Sequence, residues 1–404
     1  MNSFDLNEII EKTVKRHISL FEKDIASNKD LLFKRIQGKS ALVIGGAGSI
    51  GSSFIKELMK FEPEKVIVID HNENGLAELV RDIRSTNGIY VSKNFETYPM
   101  DFGGKVFHRY LRKHGKFNIV ANFAAHKHVR SEKDIFSIQA MLENNVIKAF
   151  NLLSILVHNK PDHFFCVSTD KAANPVSVMG ASKKFMEQMI FTFAKEFKVS
   201  TARFANVAFS NGSLPLSFLE RINKNQAISA PTDIRRYFVT PKESGQICLL
   251  ACILGNSGET FFPRFSTQEM THFSEIAQIF LAHLGLKPVI YNNEAEAKRS
   301  KVMKDGIHYP VYFFKSNTSG EKAYEEFYTE YEVVDFERFD NLGVISNSIS
   351  HDNENIKIMK ENIDEMKRLF KRPDCKKDNV VKLLEKMIPT FKHIEKNKSL
   401  DQGM

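Results

Sequence analysis

The stretch Ala41-Leu-Val-Ile-Gly-Gly-Ala-Gly-Ser-Ile-Gly51 decides the fold. Its first four residues, Ala41–Ile44, are apolar and predict a short buried strand. Gly45, Gly48 and Gly51 follow at intervals of three residues. Glycines between a strand and a helix allow a sharp turn, a close backbone approach to a pyrophosphate and tight packing of helix on strand. The spacing differs from G-x-G-x-x-G, but it serves the same contacts and predicts a dinucleotide-binding unit.

The residues around the last glycine begin a helix. Apolar residues recur with helical spacing over Ser52–Phe61. The N-terminus of such a helix offers free N–H groups and the positive end of the helix dipole to phosphate groups. We therefore predict that Ser49 and Ile50 bind the cofactor together with the three glycines.

An acidic residue at the end of the second strand predicts which cofactor binds. The apolar run Val66–Ile69 ends in Asp70, 19 residues after Gly51. A carboxylate at this distance accepts hydrogen bonds from the adenosine ribose hydroxyls and repels a 2′-phosphate, so NAD is favoured over NADP. Asp101 follows another apolar run and is predicted to contact the adenine, with a role as a turn or helix cap as the alternative.

Residues 39–210 alternate short apolar runs with helical patterns, which predicts crossover connections and a doubly wound parallel sheet of the Rossmann type. The predicted strands are Ala41–Ile44, Val66–Ile69, Tyr90–Tyr98, Asn118–Asn122, Phe164–Ser168 and Ser200–Phe204. Residues 211–345 have a mixed α/β pattern that predicts a smaller substrate-binding lobe, with some chain returning to the core. Residues 1–38 and the Lys-rich residues 346–404 are predicted to be helical extensions that pack on the core or build an oligomer.

Composition excludes several classes of protein. The 404 residues carry 57 Lys and Arg against 49 Asp and Glu, a net charge of +8. The positive residues are spread along the chain, so we interpret them as solvated helix faces and predict no nucleic-acid partner. No apolar run reaches the length of a membrane helix, which predicts no integral membrane segment and a cytoplasmic protein. The four cysteines are interpreted as reduced thiols, and no His, Cys, Asp or Glu set has metal-ligand spacing.

A second group of polar residues follows the strand Phe164–Ser168. Ligands of open parallel sheets bind beyond the carboxyl ends of the strands, so Thr169, Asp170 and Lys171 are expected to face the cofactor. An adjacent acid and amine can divide proton donation and proton removal between them. Met179 and Lys183 lie four residues apart and share one face of the following helix.

Several of these residues together resemble the extended short-chain dehydrogenases. The resemblance is carried by the three glycines, Asp70, Ala124-Ala125, Asn145 and Lys183. In that superfamily the residue four positions before the lysine is usually a tyrosine that exchanges a proton with a substrate hydroxyl. This chain has Met179 there, and methionine cannot transfer a proton.

One branch of the superfamily fits better. The stretches Ala125-His-Lys-His-Val129, Ser168-Thr-Asp-Lys-Ala-Ala-Asn-Pro175 and Met179-Gly-Ala-Ser-Lys183 resemble the nucleotide-sugar 4,6-dehydratases of bacterial polysaccharide biosynthesis. Arg203-Phe-Ala-Asn-Val207 and Arg236-Tyr-Phe-Val-Thr240 are also similar to that family, and the closest members act on UDP-N-acetylglucosamine. The resemblance covers roughly residues 35–345.

The resemblance implies a role for each residue of the second group. Asp170 would donate a proton to the departing C6 hydroxyl, Lys171 would remove the C5 proton, and Thr169 would hydrogen-bond the C4 oxygen. Lys183 would hold the nicotinamide ribose, where its positive charge favours a developing oxyanion. With Met179 in place of tyrosine, the C4 hydroxyl proton goes either to the Asp170–Lys171 unit or to a water, and the sequence does not choose between them.

The resemblance also implies a UDP-sugar substrate and an NAD cofactor, and the protein is expected to form a homo-oligomer. Ala124 and Ala125 would line the cofactor, and Lys127, His128, Asn206 and Arg236 would meet the substrate, with Arg236 suited to phosphate oxygens. Two alternatives remain open at this stage. One is a C4 epimerase or reductase on the same scaffold, and the other is a non-catalytic NAD-binding scaffold protein.

Overall fold

The apolar runs of the N-terminal half form parallel strands in the computed structural model, which describes residues 5–128, 132–300, 306–316, 325–346 and 354–395. The strands of these residues are β1 (Ser40–Ile44), β2 (Lys65–Asp70), β3 (Asn94–Pro99), β4 (Ile119–Asn122), β5 (His163–Val167), β6 (Lys198–Ala202), β7 (Asn206–Val207), β8 (Ile228–Pro231), β9 (Arg235–Arg236), β10 (Phe238–Val239), β11 (Glu259–Pro263), β12 (Thr271–His272), β13 (Lys287–Tyr291), β14 (His308–Phe314), β15 (Val334–Asp335) and β16 (Leu342–Ser346).

Helices connect most of these strands. They are α1 (Leu6–Val14), α2 (Glu22–Ser27), α3 (Lys29–Ile36), α4 (Ser49–Met59), α5 (Glu73–Ser85), α6 (Lys105–His114), α7 (Ile135–Leu142), α8 (Lys148–Leu156), α9 (Val178–Thr192), α10 (Leu214–Asn223), α11 (Pro241–Leu254), α12 (Phe273–His283), α13 (Glu294–Arg299), α14 (Glu354–Phe370) and α15 (Lys377–Met387). A π-helical turn, Glu143–Ile147, joins α7 to α8, and single 3₁₀ turns are formed by Asp170–Ala172 and Thr267–Glu269.

The main sheet has nine strands within the described part of the chain, in the order β15-β16-β11-β6-β5-β4-β1-β2-β3. Strands β3 to β11 in this order run parallel, and β16 and β15 are antiparallel additions at one edge. The strand order reverses between β1 and β4, so a crevice opens there at the carboxyl ends of the strands. The doubly wound parallel sheet predicted from the sequence is confirmed.

Both faces of the sheet are buried under helices. Successive side chains of a strand point to opposite faces, so Ala41 and Val43 enter one apolar cluster while Leu42 and Ile44 enter the other. The first cluster includes residues of α4 and α11, and the second includes residues of α7, α8 and α9. Burial on both faces explains why these strands read as continuous apolar runs.

Two predicted boundaries are moved by local contacts. Strand β3 begins at Asn94 rather than Tyr90, because the Ser92 hydroxyl donates to the carbonyl oxygen of Glu64 and the chain turns before it joins the sheet. Ile18, part of the predicted N-terminal helical pattern, is 76% exposed because α1 ends at Val14.

The chain between residues 211 and 345 contributes to two places. Strands β13, β14 and β8 form a three-stranded parallel sheet, which packs with α10 and α12 around a third apolar cluster. Strands β11, β15 and β16 lie instead in the main sheet. The predicted return of part of this segment to the core therefore takes the form of an added sheet edge.

The predicted terminal helices pack on the core. Ile9 and Val14 of α1 join the third cluster, while Phe21 and Ile36 join the cluster under α4 and α11. Helices α14 and α15 pack against α9 on the opposite face, through buried residues such as Ile363, Met366 and Leu384. Within the described ranges, every helix is too short or too polar to cross a lipid bilayer.

Candidate functional site

The glycine turn after β1 is shaped by a close backbone approach. Gly45 has a φ of +74°, and a Cβ atom there would lie 2.5 Å from the backbone nitrogen of Ala124, which follows β4. Only glycine fits a position with both properties. Gly48 is the N-cap residue of α4 and has no side chain to cap the helix, so the N–H groups of Ser49, Ile50 and Gly51 begin the helix without that competition.

Asp70 fixes the glycine turn from the end of β2. Its Oδ2 accepts a hydrogen bond from the backbone N–H of Ala47 at 3.0 Å, and its Oδ1 accepts one from Asn72 at 2.9 Å. The side chain is buried. A carboxylate has about four acceptor positions, so two remain for hydroxyl groups of a ligand.

These residues line a cleft of about 420 Å³ at the switch point of the sheet. Of the predicted cofactor residues, the cleft brings together Gly45, Gly48, Asp70, Asp101, Ala124 and Ala125. Ser49, Ile50 and Gly51 lie beside it in the first turn of α4. The cleft has the size and the mixed polar and apolar lining expected of a nucleotide site.

Asp101 is held at the rim of the cleft by a lysine that the sequence analysis did not single out. The Nζ atom of Lys148 lies 2.6 Å from its Oδ2, and the backbone N–H of Gly103 donates to its Oδ1 at 2.9 Å. Partial burial works against the charged form, but these contacts prevail and lower the pKa of Asp101. The carboxylate is therefore charged and fixed beside the cleft.

Asn145 ties the loop after β4 to α9. Its Oδ1 accepts from the backbone N–H of His126 at 2.8 Å, and its Nδ2 donates to the carbonyl oxygen of His126 and to Ser182 Oγ, at 3.0 and 3.1 Å. The cofactor cleft and the helix that carries Lys183 are thus joined by one buried side chain.

The acid–amine pair lies directly after β5, as the sequence predicts for a group at the carboxyl end of the sheet. Lys171 Nζ is 3.1 Å from both carboxylate oxygens of Asp170, and Thr169 Oγ1 donates to Asp170 Oδ1 at 2.8 Å. Asp170 is buried, whereas the side chain of Lys171 is 25% exposed. The backbone N–H of Asp170 also donates to the carbonyl oxygen of Phe204, which ties the pair to the chain that follows β6.

Lys183, in helix α9, contacts the last residue of β5, the strand that precedes this pair. Its buried Nζ donates to the carbonyl oxygen of Val167 at 2.7 Å, and burial lowers the pKa of the ammonium group. Met179, one turn earlier, is buried in the apolar cluster on that face of the sheet. The side chain at this position therefore adds apolar surface and no exchangeable proton.

The predicted substrate residues Asn206 and Arg236 lie together. Strands β7 and β10 pair so that Asn206 lies opposite Phe238. Arg236, in β9, comes two residues before Phe238 and is therefore also close to Asn206. Both side chains contact Glu325, a buried residue that the sequence analysis missed. Its long separation from the other site residues, 119 positions from Asn206, left no local spacing pattern to reveal it.

Lys127 and His128 lie in the loop that follows β4. The His128 ring faces the backbone of Gly212, where a Cβ atom would lie 3.0 Å from its Nε2. Lys127 is an exposed residue. Val129, the last residue of the stretch quoted above, lies outside the described residues.

A buried ionic network lies behind the acid–amine pair. Ser168 Oγ donates to Glu187 at 2.6 Å, and Arg203 binds both oxygens of Glu187 and both oxygens of Glu332 at 2.7–3.0 Å. Burial opposes the charged form of Glu332, but Arg203 prevails and lowers its pKa to about 2. The network fixes the end of β5, helix α9 and the segment that contains Glu325 relative to one another.

The C-terminal segment reaches the loop between Lys171 and α9. The backbone N–H groups of Lys392 and Ile394 donate to the carbonyl oxygens of Pro175 and Val176, at 3.2 and 3.0 Å. His393 lies 3.7 Å from Glu132, whose other contact is the N–H of Val178 at the start of α9. The chain after residue 387 thus supports the loop that carries the acid–amine pair.

Comparison with known proteins identifies the family. A family model described as "Polysaccharide biosynthesis protein" matches residues 41–347. The chain belongs to this family. The match confirms the family predicted from the sequence, and it ends where the C-terminal helical extension begins.

Individual relatives and solved structures are also similar to this chain. An uncharacterized membrane protein of Methanocaldococcus jannaschii is 29% identical over 76% of this chain and 85% of its own length. A UDP-N-acetylglucosamine 4,6-dehydratase (inverting) of Campylobacter jejuni is 25% identical over 61% of this chain and 73% of its own. The solved structure of DesIV, a dTDP-glucose 4,6-dehydratase of Streptomyces venezuelae with NAD bound, has a TM-score of 0.56 at 17% identity and covers 80% of this chain and 97% of its own. That likeness shows the shared Rossmann-type fold.

Proposed function

We propose that the protein is an NAD-dependent nucleotide-sugar 4,6-dehydratase that acts on UDP-N-acetylglucosamine. The observation that carries the proposal is the buried Asp170 carboxylate in contact with Lys171, just beyond the carboxyl end of β5. Lys183 donates to Val167, the last residue of that strand, and the buried Met179 lies one helix turn before Lys183 in α9. An acid and an amine in contact suit the removal of water from neighbouring carbons, which needs one proton donated and one removed. The Campylobacter jejuni relative, named for this activity, supports the choice of substrate.

The cleft fits NAD. Gly45 leaves room for a backbone approach, the start of α4 offers uncapped N–H groups to a pyrophosphate, and Asp70 has free acceptor positions for ribose hydroxyls. NAD held there would supply reversible hydride transfer, away from the sugar C4 and later to C6. The Lys171 ammonium group would return a proton to C5 as C6 gains the hydride, so no net oxidation occurs. The NAD-bound DesIV structure shows the same fold around that cofactor.

The residues divide the remaining work. Lys171 removes the C5 proton and its nitrogen lone pair forms the new N–H bond, while the C5–H electrons form the C5–C6 double bond. The C6–O bond breaks as Asp170 protonates the departing oxygen, and one water leaves. This requires a neutral amine and a neutral acid, a state that one proton transfer across the 3.1 Å contact between Lys171 and Asp170 provides. Thr169 would hydrogen-bond the C4 oxygen, and Lys183 would hold the nicotinamide ribose.

The C4 hydroxyl proton has two possible acceptors. Met179 cannot take it, so it passes to the Asp170–Lys171 pair or to a water molecule. A C4 epimerase or a reductase needs a proton relay at this oxygen for its whole reaction, and Met179 therefore counts against both.

We also propose that the protein is cytoplasmic and forms a homo-oligomer. Light scattering on the purified protein tests the oligomeric state, and localisation of the tagged protein tests the compartment.

The test is incubation of the purified protein with UDP-N-acetylglucosamine in deuterated water, followed by mass spectrometry and NMR. We expect loss of one water, with deuterium entering at C5. A product of unchanged mass would show an epimerase, and dependence on added NADH would show a reductase. Tight NAD binding with no change in any nucleotide sugar would contradict the proposal and favour a scaffold protein.

A further inference from the structure

Glu325 belongs to the segment before β15, which contacts residues that follow β6. Arg203 holds this segment through the carbonyl oxygen of Phe327, at 2.8 Å, and through Glu332. Arg203 is fully buried and comes directly after β6. The position of Glu325 is therefore fixed by the same network that fixes the acid–amine pair.

The Glu325 carboxyl group contacts two of the predicted substrate residues. Asn206 Nδ2 donates to its Oε1 at 2.5 Å, and the backbone N–H of Tyr237 donates to its Oε2 at 2.8 Å. Arg236 Nε lies 3.8 Å from Oε1. One buried carboxyl group thus contacts the Asn206 amide, the Arg236 guanidinium group and the backbone N–H of Tyr237.

The electrostatics of this group link it to the acid–amine pair. Burial raises the pKa of Glu325 to about 8, and the negative charge of Asp170 acts in the same direction. Lys171, Arg236 and the N–H of Tyr237 oppose the rise. The charges of Glu325 and Asp170 are therefore not independent, and each additional negative charge here weakens the attraction of Arg236 for an anion.

We propose that Glu325 is a positioning residue for the nucleotide-sugar substrate, because it orients Asn206 and Arg236 toward the sugar and the diphosphate. This inference rests on the proposed function and names a residue that acts through its neighbours. A buried glutamate with a purely structural role would contribute to folding and leave substrate affinity unchanged, so the two roles can be separated.

The experiment compares substitutions at Glu325 with the same substitution at Glu259. Glu259, the first residue of β11, is equally buried, at 8% exposure, and binds Arg338 at 2.8 Å. Glu325→Ala should raise the KM for UDP-N-acetylglucosamine at least tenfold, with kcat within threefold and NAD affinity unchanged. Glu325→Gln keeps one acceptor oxygen and should recover part of that loss, whereas Glu259→Ala should lower the melting temperature and leave KM within twofold.

The pH profile gives a second readout. In the wild-type protein, kcat/KM should fall as pH rises through about 8, because Glu325 then adds a carboxylate beside Asp170 and Arg236. Glu325→Gln should lack this part of the decline. An unchanged profile in Glu325→Gln, or a KM in Glu325→Ala within twofold of wild type, would overturn the inference.

Binding of UDP alone separates this inference from the proposed function. Calorimetric titration of the wild-type protein, Glu325→Ala and Glu259→Ala with UDP needs no turnover. If the wild type removes no water from any nucleotide sugar, the proposed function fails, and the UDP affinities then decide on Glu325. A tenfold weaker affinity confined to Glu325→Ala supports the positioning role, and equal affinities or no UDP binding by the wild type contradict it.

Discussion

Substitution of Asp70 by asparagine tests how the chain selects its cofactor. The carboxylate binds the N–H of Ala47 with one oxygen and the N–H of Asn72 with the other. Asparagine has a single acceptor oxygen, so one of the two N–H groups would face an NH₂ group instead. On the proposed NAD binding, the substitution would also remove the negatively charged acceptor for the ribose hydroxyls.

The expected size of the effect follows from these contacts. A hydrogen bond to a charged group contributes about 1.5–3 kcal/mol, which corresponds to a rise of about 10- to 150-fold in the Kd for NAD. NADP should respond differently, since the loss of the carboxylate also removes its repulsion of the 2′-phosphate. Asp70→Asn should therefore reduce the preference for NAD over NADP as well as the affinity for NAD.

Calorimetric titration with NAD and NADP measures both quantities. The matched control is Glu78→Gln, which removes an exposed carboxylate from α5, the helix that follows Asp70 in the chain. If the turn were merely distorted, both cofactors would lose affinity equally. An NAD affinity within threefold of wild type, or an equal loss in Glu78→Gln, would refute the reasoning.

Three further predictions concern the fold and the cleft. Burial lowers the pKa of His163 to about 3, so below about pH 6.5 only the unfolded state gains a proton at this residue. The free energy of unfolding should therefore fall by about 2 kcal/mol from pH 7.5 to pH 5. Urea unfolding at the two pH values should show this loss in the wild type and not in His163→Asn. Gly45 has a positive φ, and Gly45→Ala would place a Cβ atom 2.5 Å from the backbone nitrogen of Ala124. The affinity for NAD should fall at least tenfold in the same titration. Phe21→Ala should cost about 3–5 kcal/mol in urea unfolding, because Phe21 is fully buried.

The sequence predicted the parts of the molecule that depend on neighbours along the chain. The strand Ala41–Ile44, the glycine turn and the acid at the end of β2 lie within 30 residues of one another. Their spacing alone indicates a phosphate-binding turn, and the observed sheet and cleft follow it. Periodicity was equally informative for α14 and α15, where a regular apolar stripe packs on α9.

The parts that escaped prediction depend on contacts between distant segments. Glu325 meets Asn206 across 119 positions, and Lys392 meets Pro175 through backbone groups that carry no sequence pattern. The ionic network of Glu187, Arg203 and Glu332 also joins distant segments. Each of these charged residues, taken alone in the sequence, would be predicted to lie on the surface. Only the fold shows that these charges are buried and paired.

These distant contacts bear on why Met179 can replace a tyrosine. The usual tyrosine would supply one proton at the C4 oxygen, whereas here an acid and an amine, Asp170 and Lys171, form a contact pair close to Glu325. On the proposed function, an acid and an amine in contact can hold or release that proton without a tyrosine. The same arrangement suits elimination of water, which needs a donor and an acceptor at once. The loss of the hydroxyl at residue 179 is thus consistent with a site in which the Asp170–Lys171 pair carries the proton chemistry and the residues around it set its charge.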